Sequence, residues 1–172
     1  MLWSDDLPSD MMSAMKFHKE IRFTGDLDTV FAMLTDKAFR EKVAETAGAD
    51  TWQVTVEERG DGVQAVVDTS QSTAGFPGPA VKVLGSHFDI HQEEDWTSRT
   101  EGTMLVTIPG KPGTVRGTVT LRQDGSEVVQ TIDADIKVSI PLVGGKIEKL
   151  IGSAVGSVLK TQQSVGADWL AG

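Results

Sequence analysis

From about Val143 the chain carries an apolar stripe at helical spacing: Ile147, Ile151, Ala154, Val155, Val158, Val165 and Trp169. Lys149, Ser153, Ser157, Lys160 and Ser164 fall on the far side. A helix from Val143 to Leu170 would be about 40 Å long, comparable with the full width of a globule of this size. Such a helix must cross the whole domain, and its stripe needs an apolar partner of equal length. Almost everything from Thr51 to Ile140 reads as antiparallel strand, so a curved sheet is the partner the sequence offers.

The strand signals are alternation and turns. Phe17, Ile21 and Phe23 share one face of a first strand, with His18, Glu20 and Arg22 on the other. Leu27, Val30, Phe31 and Leu34, then Phe39 and Val43, fit two short helices, with Asp26 or Asp28 and then Asp36 as N-caps and Gly48 past the end. Gly60-Asp61-Gly62 and Asp124-Gly125 read as hairpin turns, the latter as a type I′ pair. In the last strand Val128, Ile132, Ala134, Ile136, Val138 and Ile140 share a face that only Gln130 interrupts. "STAGFPGPA" and "PGKPG" read as loops. The expected fold is α+β: a strand, two short helices, six or so strands and one long C-terminal helix gripped by the sheet. Residues 15–172 form one domain, and residues 1–14, acidic and Pro/Ser-containing, an extension.

Glycines 152 and 156 sit inside the expected helix, where each costs roughly 1 kcal/mol relative to alanine. Close contact with a strand would compensate, and so would a need to keep volume free beneath the helix. Both readings stand.

Composition narrows the function. At 172 residues with 39% hydrophobic and 24% charged residues the chain is globular, and no apolar run approaches the roughly 20 residues of a membrane span. A formal charge of -9 opposes binding to nucleic acid or anionic lipid surfaces. Without cysteine there is no thiolate chemistry, and the N-terminus does not read as a signal peptide, so a cytoplasmic location is expected.

Catalytic motifs are sparse. No G-x-S-x-G occurs, and Gly144-Gly145-Lys146 is followed by isoleucine, unlike a phosphate-binding loop. His87 and His91 stand about 13 Å apart on a strand, too far to share an ion, and no metal or other cofactor is expected. Arg116 and Arg122 fit surface ion pairs. The opposite parity of the fourth strand points Phe88, Ile90, Gln92, Glu94 and Trp96 inward unless a bulge intervenes near Glu93. A buried carboxylate is costly unless paired, and burial is a common means of tuning general acids and bases, which makes Glu94 a weak catalytic candidate.

"EEDW" at 93–96, "PGKPGTVRGTVTL" at 109–121, "IPLVGGKIEKLI" at 140–151 and "DWL" at 168–170 carry a further signal. With the element order they resemble the START-like helix-grip (SRPBCC) superfamily of lipid-transfer proteins and polyketide cyclases, in an uncharacterised, mainly actinobacterial branch. The resemblance implies a cavity for a hydrophobic small molecule and brings no catalytic residues. The expected lining is Trp52, Phe88, Trp96, Met104, Ile136, Val138, Ile147, Ile151, Val155 and Val158, with Gln92, Gln130 and Gln162 as polar contacts and Phe76 at a gating loop. Two alternatives remain open: a cyclase-, dehydratase- or hydrolase-type enzyme using Glu94, and a homodimeric module with a filled cavity, docked through Trp3 and Leu7.

Overall fold

A computed structural model describes residues 14–172. Trp3 and Leu7, and with them the proposed dimer contact, lie outside the described residues. Strand β1 (Met15–Thr24) leads into helices α1 (Leu27–Leu34) and α2 (Lys37–Thr46). The carboxylates of Asp26 and Asp36 start these helices, accepting from Thr29 N at 2.8 Å and Phe39 N at 3.0 Å. There follow β2 (Thr51–Arg59), β3 (Gly62–Ser72), α3 (Gly78–Leu84), β4 (His87–Trp96), β5 (Glu101–Thr107), β6 (Thr114–Asp124), β7 (Glu127–Lys137) and α4 (Gly144–Ala171). The strands form one seven-stranded sheet in the order β1-β7-β6-β5-β4-β3-β2, antiparallel throughout. β1 and β2 are therefore its two edges, and α1 and α2 carry the chain from one edge to the other. The concave face packs on these helices and on α4, as the helix-grip reading requires.

Two local expectations are corrected. Asp124 pairs with Glu127, so the hairpin loop is Gly125-Ser126 rather than Asp124-Gly125, with Gly125 at φ 61°. A glycine in the first loop position suits a II′ arrangement, and Gly60, at φ 59° between paired Arg59 and Gly62, repeats it. The "GPA" end of the supposed loop begins a helix, α3. Pro77 is its N-cap and Pro79 lies in its first turn, where a fixed φ and a missing N–H do no harm, while Ala80 and Leu84 bury one side.

Curvature of the sheet is visible in its glycines. A Cβ on Gly117 would stand 2.0 Å from the Asp133 carbonyl oxygen and 2.5 Å from Ala134 Cα, and one on Gly102 would stand 2.8 Å from the Asp95 carbonyl oxygen. Backbones approach there more closely than any side chain permits, as they do where a sheet bends sharply.

The helix glycines divide by the same measure. A Cβ at Gly152 would meet Met15 Cε at 2.7 Å and Ile136 Cδ1 at 3.5 Å, and at Gly166 the Phe23 ring at 2.5 Å. These two let α4 lie against β1 and β7. Gly156 faces open space. Gly156→Ala is therefore expected to stabilise the protein by about 0.5–1 kcal/mol through helix propensity. Chemical denaturation of the pair of proteins measures it, and a loss of stability would mean that Gly156 is packed.

Histidines occupy the solvent-facing side. His18 pairs with Asp133 at 2.5 Å, and His91 contacts Asp68 at 2.6 Å and Glu93 at 2.9 Å. Hydrogen bonds to Glu93 and then Asp68 raise the pKa of His91 above its ordinary 6.5. A raised folded-state value means that its contribution to stability is complete below 6.5 and fades as pH rises through the folded pKa. An NMR titration should place the His91 midpoint above 6.5, and His91→Asn should remove that part of the pH dependence. A midpoint at or below 6.5 in the folded protein would refute the pairing.

Candidate functional site

Between the sheet, α2, α3 and α4 lies a cavity of about 200 Å³. Its walls are largely apolar: Val67 from β3, Phe88 and Ile90 from β4, Met104 and Val106 from β5, Val43 and Ala44 from α2, Leu84 from α3, and Ile147, Ile151, Val155 and Val158 from α4. The sheet contributes because alternate residues of β3, β4 and β5 face the concave side. α4 contributes because its stripe is wider than the contacts β1 and β7 make with it. Phe76 stands at the wall beside α3, its ring 5.8 Å from that of Phe88.

Of the residues expected from sequence, Phe76, Phe88, Gln92, Met104, Ile147, Ile151, Val155, Val158 and Gln162 line this cavity. The rest pack elsewhere. Trp52 is half-buried on the edge strand β2, paired across with the lining residue Thr69 but outside the wall itself. Trp96 is 2% exposed and meets Phe31 edge-to-face at 5.5 Å, so it belongs to the core under α1. Ile136 and Val138 are core residues under α4, Ile136 against Gly152 and Val138 beside Gly113. Gln130 is buried and accepts from Gln162 Nε2 at 2.8 Å, linking β7 to α4.

No bulge interrupts β4: its register with β3 runs unbroken from Val63↔Trp96 to Ser72↔His87. Glu94 consequently points inward and is buried, but it stands behind the wall and not in it. Its Oε2 pairs with Arg40 Nη1 at 2.5 Å and accepts from Gln92 Nε2 at 3.0 Å. Arg40 Nε donates to the Leu34 carbonyl at 2.6 Å, tying the ion pair to the end of α1. Sequence reasoning missed the apolar lining residues Val43, Ala44, Val67, Leu84 and Val106 and, among charged residues of the wall, Arg40. The signal was present: Arg40 shares a helical face with Val43, Ala44 and Ala47, at i+3, i+4 and i+7. Such a position places a buried cation opposite whichever strand residue can neutralise it.

The polar side chains of the wall are few, Arg40, Thr69, Gln71, Gln92, Thr114 and Gln162, and three of them are held from behind. Gln92 and Arg40 are held by Glu94, and Gln162 by Gln130. Among the described residues no cluster of His, Asp and Glu could hold a metal ion. His87 and His91 lie on the outer face of β4.

The model of the family described as "Protein of unknown function (DUF2505)" matches residues 19–170. The chain belongs to the DUF2505 family. A relative from Mycobacterium tuberculosis, the uncharacterized protein Rv0481c, is 28% identical over 103 residues. That match spans 55% of this chain and 58% of the relative. Among solved structures, the di-domain ARO/CYC StfQ from the steffimycin biosynthetic pathway superposes with a TM-score of 0.60 at 11% identity, covering 95% of this chain and 54% of StfQ. A START superfamily protein from Mycobacterium smegmatis superposes at 0.53 with 10% identity, covering 87% and 94% of the two chains. The DUF2505 chain therefore has the START-like fold. No helix among its described residues is long and apolar enough to cross a membrane.

Proposed function

We propose that the protein binds a small hydrophobic molecule in the cavity between the sheet and α4. The supporting observation is a hollow of about 200 Å³ whose walls are almost wholly apolar. An apolar cavity of roughly 150 Å³ suffices to hold a benzene-sized guest, whereas drug-sized ligands occupy about 300–1,000 Å³. The size therefore favours a molecule of one or two rings, or a short acyl chain, over a sterol or a phospholipid. The START-like fold supports the same reading. Gln92, Arg40 and Gln162 supply the few oriented polar groups such sites use for specificity.

The catalytic alternative has less support. Glu94 stands behind Gln92 and Arg40, and its Oε2 already serves both. An acid/base must come within hydrogen-bond reach of the substrate.

Ile90→Trp tests the proposal, because it fills the cavity from the β4 wall. Uptake of a naphthalene-type fluorophore is expected to fall at least about ten-fold while far-UV circular dichroism stays unchanged, since the free volume that held the ligand is lost. Native mass spectrometry of protein purified from its source, before and after organic extraction, should show a bound mass that extraction removes. Undiminished uptake by the filled variant would sink the reading.

A further inference from the structure

Among the described residues, Arg40 is the one charged side chain in the cavity wall, and its hydrogen-bonding capacity is only partly used. It is 4% exposed and reaches the hollow from α2. Nε donates to the Leu34 carbonyl at 2.6 Å, and Nη1 pairs with Glu94 Oε2 at 2.5 Å. Nη2 is buried without a partner among the described residues. With Nε turned to α1 and Nη1 to β4, Nη2 is the nitrogen left to meet a guest. A guanidinium N–H withdrawn from water without an acceptor is a costly group, so an acceptor brought into the cavity gains most there.

The surroundings constrain what that acceptor can be. Glu94 already neutralises the charge of Arg40. A guest carboxylate or phosphate would therefore add an uncompensated negative charge beside Val43, Leu84 and Met104, whereas a neutral oxygen would not. A donor on the guest finds no match at the same place. Glu94 Oε1 is also buried and unpartnered, but Glu94 is not part of the wall. Of the other polar side chains in the wall, Gln92 and Gln162 already donate, to Glu94 Oε2 at 3.0 Å and to Gln130 Oε1 at 2.8 Å.

We infer that the cavity selects guests bearing a neutral carbonyl oxygen, such as an aryl ketone or a short acyl ester, and that this oxygen accepts from Arg40 Nη2. The inference rests on the reading of the cavity as a small-molecule site and names the functional group recognised there. The Glu94 carboxylate then holds the guanidinium in place and keeps the site neutral, so that carbonyl compounds enter and carboxylates do not.

Ethylbenzene, acetophenone and benzoate, three guests of similar shape, test it by calorimetry. Wild type should bind ethylbenzene and acetophenone and should favour acetophenone over benzoate. The ratio of acetophenone to ethylbenzene affinity should fall at least about ten-fold in Arg40→Leu/Glu94→Leu, because a hydrogen bond from a charged donor is lost. The change in cavity volume affects both guests alike and cancels in the ratio. The infrared carbonyl band of acetophenone bound to wild type needs no substitution and should lie below its position in an alkane solvent. An unaltered ratio, a carbonyl band at the alkane position, or tighter binding of benzoate than of acetophenone would each overturn the inference. Uptake of ethylbenzene by wild type in any of those cases would leave the cavity reading intact. A wild-type protein that took up neither these guests nor the naphthalene-type fluorophore would lose the cavity reading, and this inference with it.

Discussion

Arg40→Ala is expected to lower the unfolding free energy by about 3–5 kcal/mol and the thermal midpoint by roughly 10 °C. Arg40 and Glu94 are 4% and 3% exposed, and the pair is made at 2.5 Å. Truncating the arginine leaves a carboxylate buried against an apolar wall with only Gln92 to bond it. It also frees the Leu34 carbonyl at the end of α1, which now accepts from Arg40 Nε. The pair as a whole is another matter. Glu94 Oε1 and Arg40 Nη2 are buried and unpartnered among the described residues, so the attraction only partly offsets the desolvation of two charges. The double substitution Arg40→Leu/Glu94→Leu should therefore recover most of the stability lost in Arg40→Ala. Calorimetry on the three proteins decides the matter: a double variant no better than the single one would mean that the pair is strongly net stabilising.

Gly117→Val should cost about 3 kcal/mol or more, at or beyond the upper end for an added core side chain. The obstacle is backbone: the added Cβ would lie 2.0 Å from the Asp133 carbonyl oxygen, and no rotamer change relieves that. β6 must move away from β7, or the sheet must flatten. Gly117 also pairs across with Met104, which lines the cavity, so flattening should weaken fluorophore uptake together with stability. Urea titration would show the midpoint falling with its slope unchanged. A variant of wild-type stability would mean that the bend at Gly117 is dispensable.

The sequence made the architecture readable because its elements announce themselves by period. The alternation in β7 and the stripe of α4 are each long enough to exclude other readings, and Asp26 and Asp36 mark the starts of α1 and α2. α3 escaped because seven residues hold too few turns for a period to show. The cavity was legible as a face and not as a boundary. Parity points Trp96, Ile136 and Phe88 to the same side of the sheet, yet Phe88 borders the hollow while Trp96 lies under Phe31 and Ile136 under Gly152. Which part of a concave face meets a helix and which part meets open volume depends on where α1, α2 and α4 come to rest. Arg40 shows the complementary limit. Its helical face was readable, but its partner Glu94 is distant in sequence, and no local pattern couples the two.

The edge position of β1 carries a consequence for biosynthesis. Lys16 finds Asp135 only 119 positions further along the chain, so the first strand made has no hydrogen-bonding neighbour until the last strand is available. At about 5–20 residues per second a ribosome needs roughly 6–24 s to supply it. During that wait Phe17, Ile21 and Phe23 remain uncovered, and closure of the sheet by non-local pairing is the slow class of folding event. Nascent chains halted before β7 should thus be markedly more dependent on chaperones than chains halted after it.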